Sequence, residues 1–471
     1  VLLDRAGRLP GRSLRGADRG HRRGRRRRPR TPVEPHRSRT AVRGLTHAPT
    51  PSDETVQLQR FLLELGGALS LAGAAVSEVQ ERLIRVAAAN DARRARILVF
   101  PTALIVASGP EDWATIDAIP SLGEALRLDQ VSALYAVVER AETGAIDPAA
   151  GLAELRAIRA MRPRHGRVVT VLAYVVLTVG LCLILQPTAT DVAISAVLGA
   201  IVGTLLLISR GHPSLMILVP GLCATLVSAL SFEAVTHGVA DDPGLRTLIA
   251  PLITFLPGGM LTTGTVELAS GEMVAGASRL VSGVVQLLLL SFGIVAGAEI
   301  AGLPPQDAVR DVQVNLLGWW APWLGVLVFG LAAAVFFSAP RGSLPWLLLV
   351  LGVAWIGQVL GGQVVSPEVS GFVGALAMTP VALAIARIPG GPPSQVTFLP
   401  AFWLLVPGAI GLIGVATVVG DPSSAEVGDL LRPMGSILSV ALGVLCGVTL
   451  FRGADATRAS VTRRVRPGSR R

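Results

Sequence analysis

From Val168 to Phe451 the sequence is a succession of long apolar stretches separated by short polar breaks. A helix needs about 20 apolar residues to cross a hydrocarbon core about 30 Å thick. Ten stretches meet or approach that length: 168–185, 191–209, 214–232, 247–266, 280–301, 321–339, 344–360, 368–386, 398–419 and 433–451. A buried water-soluble core does not account for ten such runs with so few charges between them. The composition agrees, with 51% hydrophobic and only 16% charged residues, where soluble domains average about 25% charged. The expected fold class is an α-helical polytopic membrane protein.

The formal net charge of +10 suggests a nucleic-acid partner until its placement is read. The 42 basic residues are all Arg. Residues 1–43 carry a net +12 and residues 452–471 a net +6, which leaves the body at −8. Arg210, Arg279, Arg341 and Arg387 fall in alternate loops. The loops between them carry Glu233, Asp241, Asp242, Glu299, Asp307, Asp311, Glu368, Asp421, Glu426 and Asp429, against Arg246, Arg310 and Arg432. Arg-rich loops face the cytoplasm, so both termini are expected there. Trp319, Trp320 and Trp323 are then expected at the outer interface, where indoles prefer to sit. The basic ends have no interleaved aromatics, so no nucleic acid is expected as a partner. The lipid bilayer is expected as one.

Five regions follow. Residues 1–53 are Arg-rich and of low complexity. They read as a disordered tail or as a start assigned too far upstream, since the first residue is Val and the first Met is Met161; no signal peptide is visible. Residues 54–167 read as a small cytoplasmic α/β domain. Leu58, Phe61, Leu62, Leu65, Leu69, Ala72 and Val76 recur at helical spacing, with Gly73 as a kink and Val79, Leu83 and Val86 continuing the stripe. Ile97–Phe100 and Ala103–Ala107 read as a strand pair, closed by Gly109-Pro110. Val131, Leu134, Tyr135 and Val138 mark another helix. Asp147-Pro148 opens a last one, expected to carry Arg156 to Arg167 straight into the membrane. Residues 168–301 and 321–451 are two five-helix transmembrane repeats, and 452–471 a basic cytoplasmic tail. Cys182, Cys223 and Cys446 have no disulfide or metal spacing and read as small buried thiols. No cofactor or metal motif appears.

The repeat is read from two Pro-Gly breaks near the centres of the fourth and ninth stretches. Phe255-Leu256-Pro257-Gly258-Gly259 precedes Gly264. Leu405-Val406-Pro407-Gly408-Ala409 precedes Gly414, 150 residues on. A five-span unit is odd, so the halves lie in opposite senses, an arrangement common in secondary transporters. Pro removes a backbone N–H and Gly lets the chain open. Half-helices starting at Pro257 and Pro407 offer N–H groups and a positive dipole end to a carboxylate. After the first break come Thr262, Thr263 and Thr265, whose hydroxyls can bond a small polar solute. Gln286 is another intramembrane polar group for the path. Glu267 lies about 15 Å beyond Pro257 at 1.5 Å per residue, near the cytoplasmic mouth. It can carry a proton or pair with Arg279.

Four stretches resemble the threonine/serine exporter family of bacterial inner membranes: Phe61–Gly66 through Ala74–Val79, Val99–Val106, Pro257-Gly258 through Thr265–Gly271 to Gly276–Leu280, and Pro407-Gly408. With the span count, the resemblance covers roughly residues 55–451. It implies a cytoplasmic N-terminal domain, ten spans, and proton-driven export of threonine and serine. Protons and the amino acid are then the partners, with no cofactor and with a homo-oligomer open. In some bacteria the halves are similar to separate subunits, one linked to dicarboxylate export; here they are fused. Two other readings stand beside it. One is export of a dicarboxylate such as succinate, for which Arg279 is the one fixed cation near the break. The other is a membrane-anchored hydrolase using Ser77, Thr102 or Ser108. That reading lacks a base, because no His lies between Thr55 and Met161.

Overall fold

The computed structural model describes residues 53–108, 115–119, 125–185, 188–210, 212–238, 248–304, 317–366, 369–405, 407–420 and 427–465. The Arg-rich start, Gly109-Pro110 and the loop residues Asp241, Asp242, Arg246, Asp307, Arg310, Asp311, Glu368, Asp421 and Glu426 lie outside them.

The N-terminal domain begins with α1 (Asp53–Leu71), which buries Leu58, Phe61, Leu62, Leu65 and Leu69 along one face. The expected kink at Gly73 is a full stop instead. Gly73 takes φ +84°, a left-handed geometry that glycine adopts without a Cβ penalty. The chain restarts as α2 (Val76–Ala89). Strands β1 (Arg96–Val99) and β2 (Leu104–Ser108) form the expected antiparallel pair, with Val99 opposite Leu104. A third strand not anticipated from sequence, β3 (Thr115–Ile119), extends the sheet beside β2. Helices α3 (Leu128–Glu142) and α4 (Pro148–Arg159) complete the domain. The Asp147 carboxylate caps α4 by accepting the Ala149 N–H at 3.0 Å. The expected continuous entry into the membrane is absent, because α4 ends at Arg159 and the next helix begins at Arg167. Pro163 lies between them, with no N–H and with a ring that a continuing helix excludes.

The transmembrane part comprises α5 (Arg167–Ile184), α6 (Ala189–Ser209), α7 (Pro213–Thr236), α8 (Gly258–Ala269), α9 (Met273–Ile300) and α10 (Ala321–Phe336), then α11 (Leu344–Val364), α12 (Ser370–Ile385), α13 (Ser394–Leu405), α14 (Pro407–Gly420) and α15 (Val427–Val465). Among the described residues, α5, α6, α7, α9, α11 and α15 are long and apolar enough to cross a membrane. Helices α10 and α12 are 16 residues long, and the fourth and ninth stretches are broken into shorter pieces. The basic segment after Phe451 is helical as far as Val465. Large side chains such as Ile217, Leu218, Phe292 and Leu450 are exposed around this part, an exterior suited to lipid and unsuited to water. Trp319, Trp320 and Trp323 are also exposed, at the start of α10. Cys182 and Cys223 are buried as expected, but Cys446 is exposed. It precedes Gly447, which turns inward, and so faces away from the packed side of α15.

The repeat is visible in how the helices pack. Methyl groups added to Gly293 and Gly297 of α9 would press on α7: 2.7 Å from the Ala224 Cβ and 2.6 Å from the Thr225 carbonyl oxygen. In the second half, Gly443 and Gly447 of α15 press on α12, 2.8 Å from the Ala375 Cβ and 2.6 Å from the Thr379 Cβ. These glycines repeat at an offset of 150, and their facing residues (Ala224 and Ala375, Ser228 and Thr379) at 151. Small residues let the two backbones approach, which is how helices associate where lipid removes the hydrophobic incentive. At the centre, α5 packs on α10 through Gly180 against Phe329 and Gly325 against Ile184. These two helices run in opposite chain directions, as inverted repeats require.

Overpacking of this kind costs about 1–3 kcal/mol per site. Gly293→Val and Gly443→Val should therefore each lower the thermal midpoint of the detergent-solubilised protein. Gly352→Val should leave it within a degree or so, because nothing stands within 4 Å of that position. Differential scanning fluorimetry reads both outcomes.

Candidate functional site

The fourth stretch opens where the Pro-Gly spacing placed the break. Ile253–Phe255 form one 3₁₀ turn, Leu256 is extended, and Pro257 caps α8, whose first residue is Gly258. An open backbone at membrane depth must find protein partners, and two side chains supply them. The Tyr174 hydroxyl of α5 donates to the Pro251 carbonyl at 2.7 Å and lies 3.0 Å from the Thr254 hydroxyl. The Gln286 amide of α9 donates to the Phe255 carbonyl at 3.3 Å. Gln286 thus reaches the opened backbone of the break. Tyr174 was not singled out in the sequence; its signal there was one phenol in an otherwise apolar run.

Gly258 and Gly259 begin α8, whose first N–H groups face the break. Gly259 has nothing within 4 Å of where a Cβ would stand, so there is room against the backbone there. Thr262, one turn on, is 1% exposed, and its hydroxyl is buried without a hydrogen-bond partner. Thr265 differs, since its hydroxyl donates back to the Leu261 carbonyl at 2.9 Å. Thr263 is half-buried.

In the second half, α13 ends at Leu405 and α14 starts at Pro407. The side chains of 407–410 lie outside the described residues, so the second site is described by its helices alone. Helix α8 packs on both α13 and α14. The two broken stretches therefore meet inside the bundle.

Glu267 and Arg279 are brought together, but at the far end of α8 from the break. The Glu267 carboxylate is fully buried. Its Oε2 accepts the Arg279 Nε–H at 2.9 Å, and its Oε1 accepts the Val76 N–H at 3.0 Å. Val76 is the first residue of α2, so a transmembrane carboxylate caps a helix of the N-terminal domain, where a negative charge suits the dipole. A second such contact was not foreseen. Glu78 of α2 accepts from the Gln395 amide, with both oxygens 3.2 Å away, at the start of α13. Glu78 also accepts from Arg82 Nε at 3.0 Å and from the Tyr135 hydroxyl at 3.2 Å. Burial, reinforced by Glu78, pushes the Tyr135 phenol well above its usual range, which keeps it a neutral donor. The N–H of Leu128, first in α3, donates to the Phe337 carbonyl at 3.0 Å, and Arg164 Nη1 donates to the Ala339 carbonyl at 2.7 Å. Leu128, Val131, Ala339 and Val396 form an apolar cluster beside them.

Of the residues considered for a hydrolase, Ser77 lies in the first turn of α2 at this junction, and Thr102 is exposed in the turn between β1 and β2. The Ser108 side chain lies outside the described residues. No group of three or more potential metal ligands occurs among the described residues.

Residues 60–301 match the family described as "Putative threonine/serine exporter". The chain belongs to this family. The matched region holds the N-terminal domain from Arg60 on and residues 168–301, including Pro257, Gly258, Thr262, Glu267, Arg279 and Gln286. Curated relatives are fungal. The pheromone-regulated membrane protein 10 of Eremothecium gossypii is 22% identical over 386 residues, covering 79% of this chain and 51% of that protein. Those of Candida albicans SC5314 and Saccharomyces cerevisiae YJM789 are each 23% identical, covering 84% of this chain and 38% and 54% of theirs. The chain thus spans about half or less of the length of these relatives. Their source corrects one expectation: the resemblance is not specific to bacteria. No solved structure matches the chain.

Removing a partner from a buried polar group costs about 1–3 kcal/mol, and stranding half of a buried ion pair about 3–5 kcal/mol. Gln286→Leu should lower thermal stability modestly by orphaning the Phe255 carbonyl. Glu267→Leu should lower it more, by orphaning Arg279 and the start of α2. Thermal unfolding in one detergent checks the order.

Proposed function

We propose that this chain is a secondary transporter that exports threonine and serine, coupled to protons, through the break in the fourth stretch. The observation that carries the reading is the buried, unpartnered Thr262 hydroxyl one turn beyond the open N-terminus of α8. The carboxylate of an amino acid fits the N–H groups of Gly258 and Gly259, because a helix start is an anion site. Its side-chain hydroxyl fits Thr262, with Thr263 beside it. Pro407 and Gly408 offer a matching helix start from the second half. Glu267 is the candidate proton-linked or gating carboxylate, with Arg279 as its partner. A dicarboxylate would need further fixed positive charge, and Arg279 is already engaged by Glu267. The Arg placement supports an orientation with the N-terminal domain and both termini in the cytoplasm. The bacterial inner membrane is the setting that the resemblance implies, and a homo-oligomer is compatible with it.

Labelled threonine flux in proteoliposomes with an imposed pH gradient tests the reading. The wild-type protein should transport threonine and serine, with weak competition by succinate. Thr262→Val removes only the hydroxyl and should cut threonine flux at least tenfold while leaving thermal stability unchanged. Glu267→Gln should flatten the pH dependence. No wild-type flux, or full flux in Thr262→Val, would overturn the assignment. Full pH-sensitive flux in Glu267→Gln would remove that residue from coupling.

A further inference from the structure

The first turn of α2 touches both broken stretches, one in each repeat. At Val76 it donates its N–H to Glu267, in the last turn of α8. At Glu78, half a turn on, it accepts from Gln395, in the first turn of α13. Helices α8 and α13 are the half-helices of the two breaks that meet at this end, and they pack on each other. The turn between the two contacts is anchored in the domain core, with Val76 and Val79 buried beside Leu83 and Leu134. Both Glu267 oxygens are taken, and Glu78 is held in place by Arg82 and Tyr135. The apolar cluster around Val396 seals the side next to Gln395.

We infer that the first turn of α2 is a latch: through Glu267 and Gln395 it holds the half-helices α8 and α13 together and closes the path at the N-terminal-domain end. Two half-helices tied to one rigid turn cannot separate. Access to Thr262 from this end therefore requires α2 to let go of one of them. Gln395 is the weaker hold, since it is a neutral amide facing a half-buried carboxylate, whereas Glu267 is a buried ion. The latch opens there first. Glu78 and Gln395 are thus positioning residues for the path and touch no substrate. The inference rests on the exporter reading only in taking Thr262 as a point on that path.

The test is a charge swap in the full-length protein. Gln395→Glu sets two carboxylates against each other and should release the turn. Glu78→Gln added to Gln395→Glu restores a donor facing an acceptor with the roles reversed, and should close it again. Two readouts follow the latch. One is hydrogen exchange of the amides from Val76 to Gln80. The other is labelling of Thr262→Cys, in a Cys446→Ser background, by a membrane-impermeant maleimide applied from the N-terminal-domain side. Gln395→Glu should speed exchange at least tenfold and labelling at least fivefold, and the double variant should bring both back to within twofold of the starting protein. Unchanged exchange, unchanged labelling, or a double variant no better than Gln395→Glu would overturn the latch. Threonine flux is scored separately. Its absence from the wild-type protein would defeat the exporter reading while exchange and labelling still decide the latch.

Discussion

A helix that opens inside a membrane leaves carbonyls and N–H groups that lipid cannot satisfy. The arrangement of the first repeat follows from that constraint. The Pro251 carbonyl is met by Tyr174 from α5, and the Phe255 carbonyl by Gln286 from α9. Each partner must sit at one height on its own helix, which fixes how α5 and α9 stand against the break. Their close approach depends on glycine. Gly203 lets α6 lie on the Tyr174 ring, and Gly283 lets α9 lie on Leu261 of α8. What remains open is one short stretch of N–H groups at the start of α8, beside the free space at Gly259 and the unpartnered Thr262 hydroxyl.

A second constraint acts at the other end of α8. A buried carboxylate needs a counter-charge and further hydrogen bonds, and Glu267 takes them from two places, Arg279 and the start of α2. The N-terminal domain is therefore joined by its polar groups as well as by apolar packing. Two of its helices, α2 and α3, begin at the junction and spend their first N–H on acceptors in the transmembrane part, Glu267 and Phe337. Helix starts left without such partners would be costly to bury.

Periodicity and punctuation made most of the architecture legible. The stripe from Leu58 to Leu69, the strand pair around Pro101 and the Asp147 cap are local signals, and the structure has all three. The matched Pro-Gly pairs disclosed the break and the repeat, because a backbone defect at membrane depth leaves a mark in the sequence. Other features depend on distant residues and left no such mark. Strand β3 is short, and only its pairing with β2 defines it. Gly73 reads equally as a kink or a stop until the chain's next packing partner is known. The Tyr174–Pro251 and Glu78–Gln395 bonds span 77 and 317 residues, and no spacing rule reaches that far. For Glu267 the sequence offered its pairing with Arg279 but not its bond to Val76, since that acceptor is shared with another domain.

The docked domain has a consequence for energetics. In a body built from two inverted copies, exchanging the conformations of the copies turns one end into the likeness of the other. To a first approximation, the form open to one side and the form open to the other then have equal free energy. Among the described residues, the N-terminal domain docks at one end of that body, through contacts with Glu267, Gln395, Phe337 and Ala339. It therefore removes the degeneracy. On the exporter reading proposed above, a nearly symmetrical machine would acquire a preferred resting side, set by a handful of hydrogen bonds outside its duplicated core.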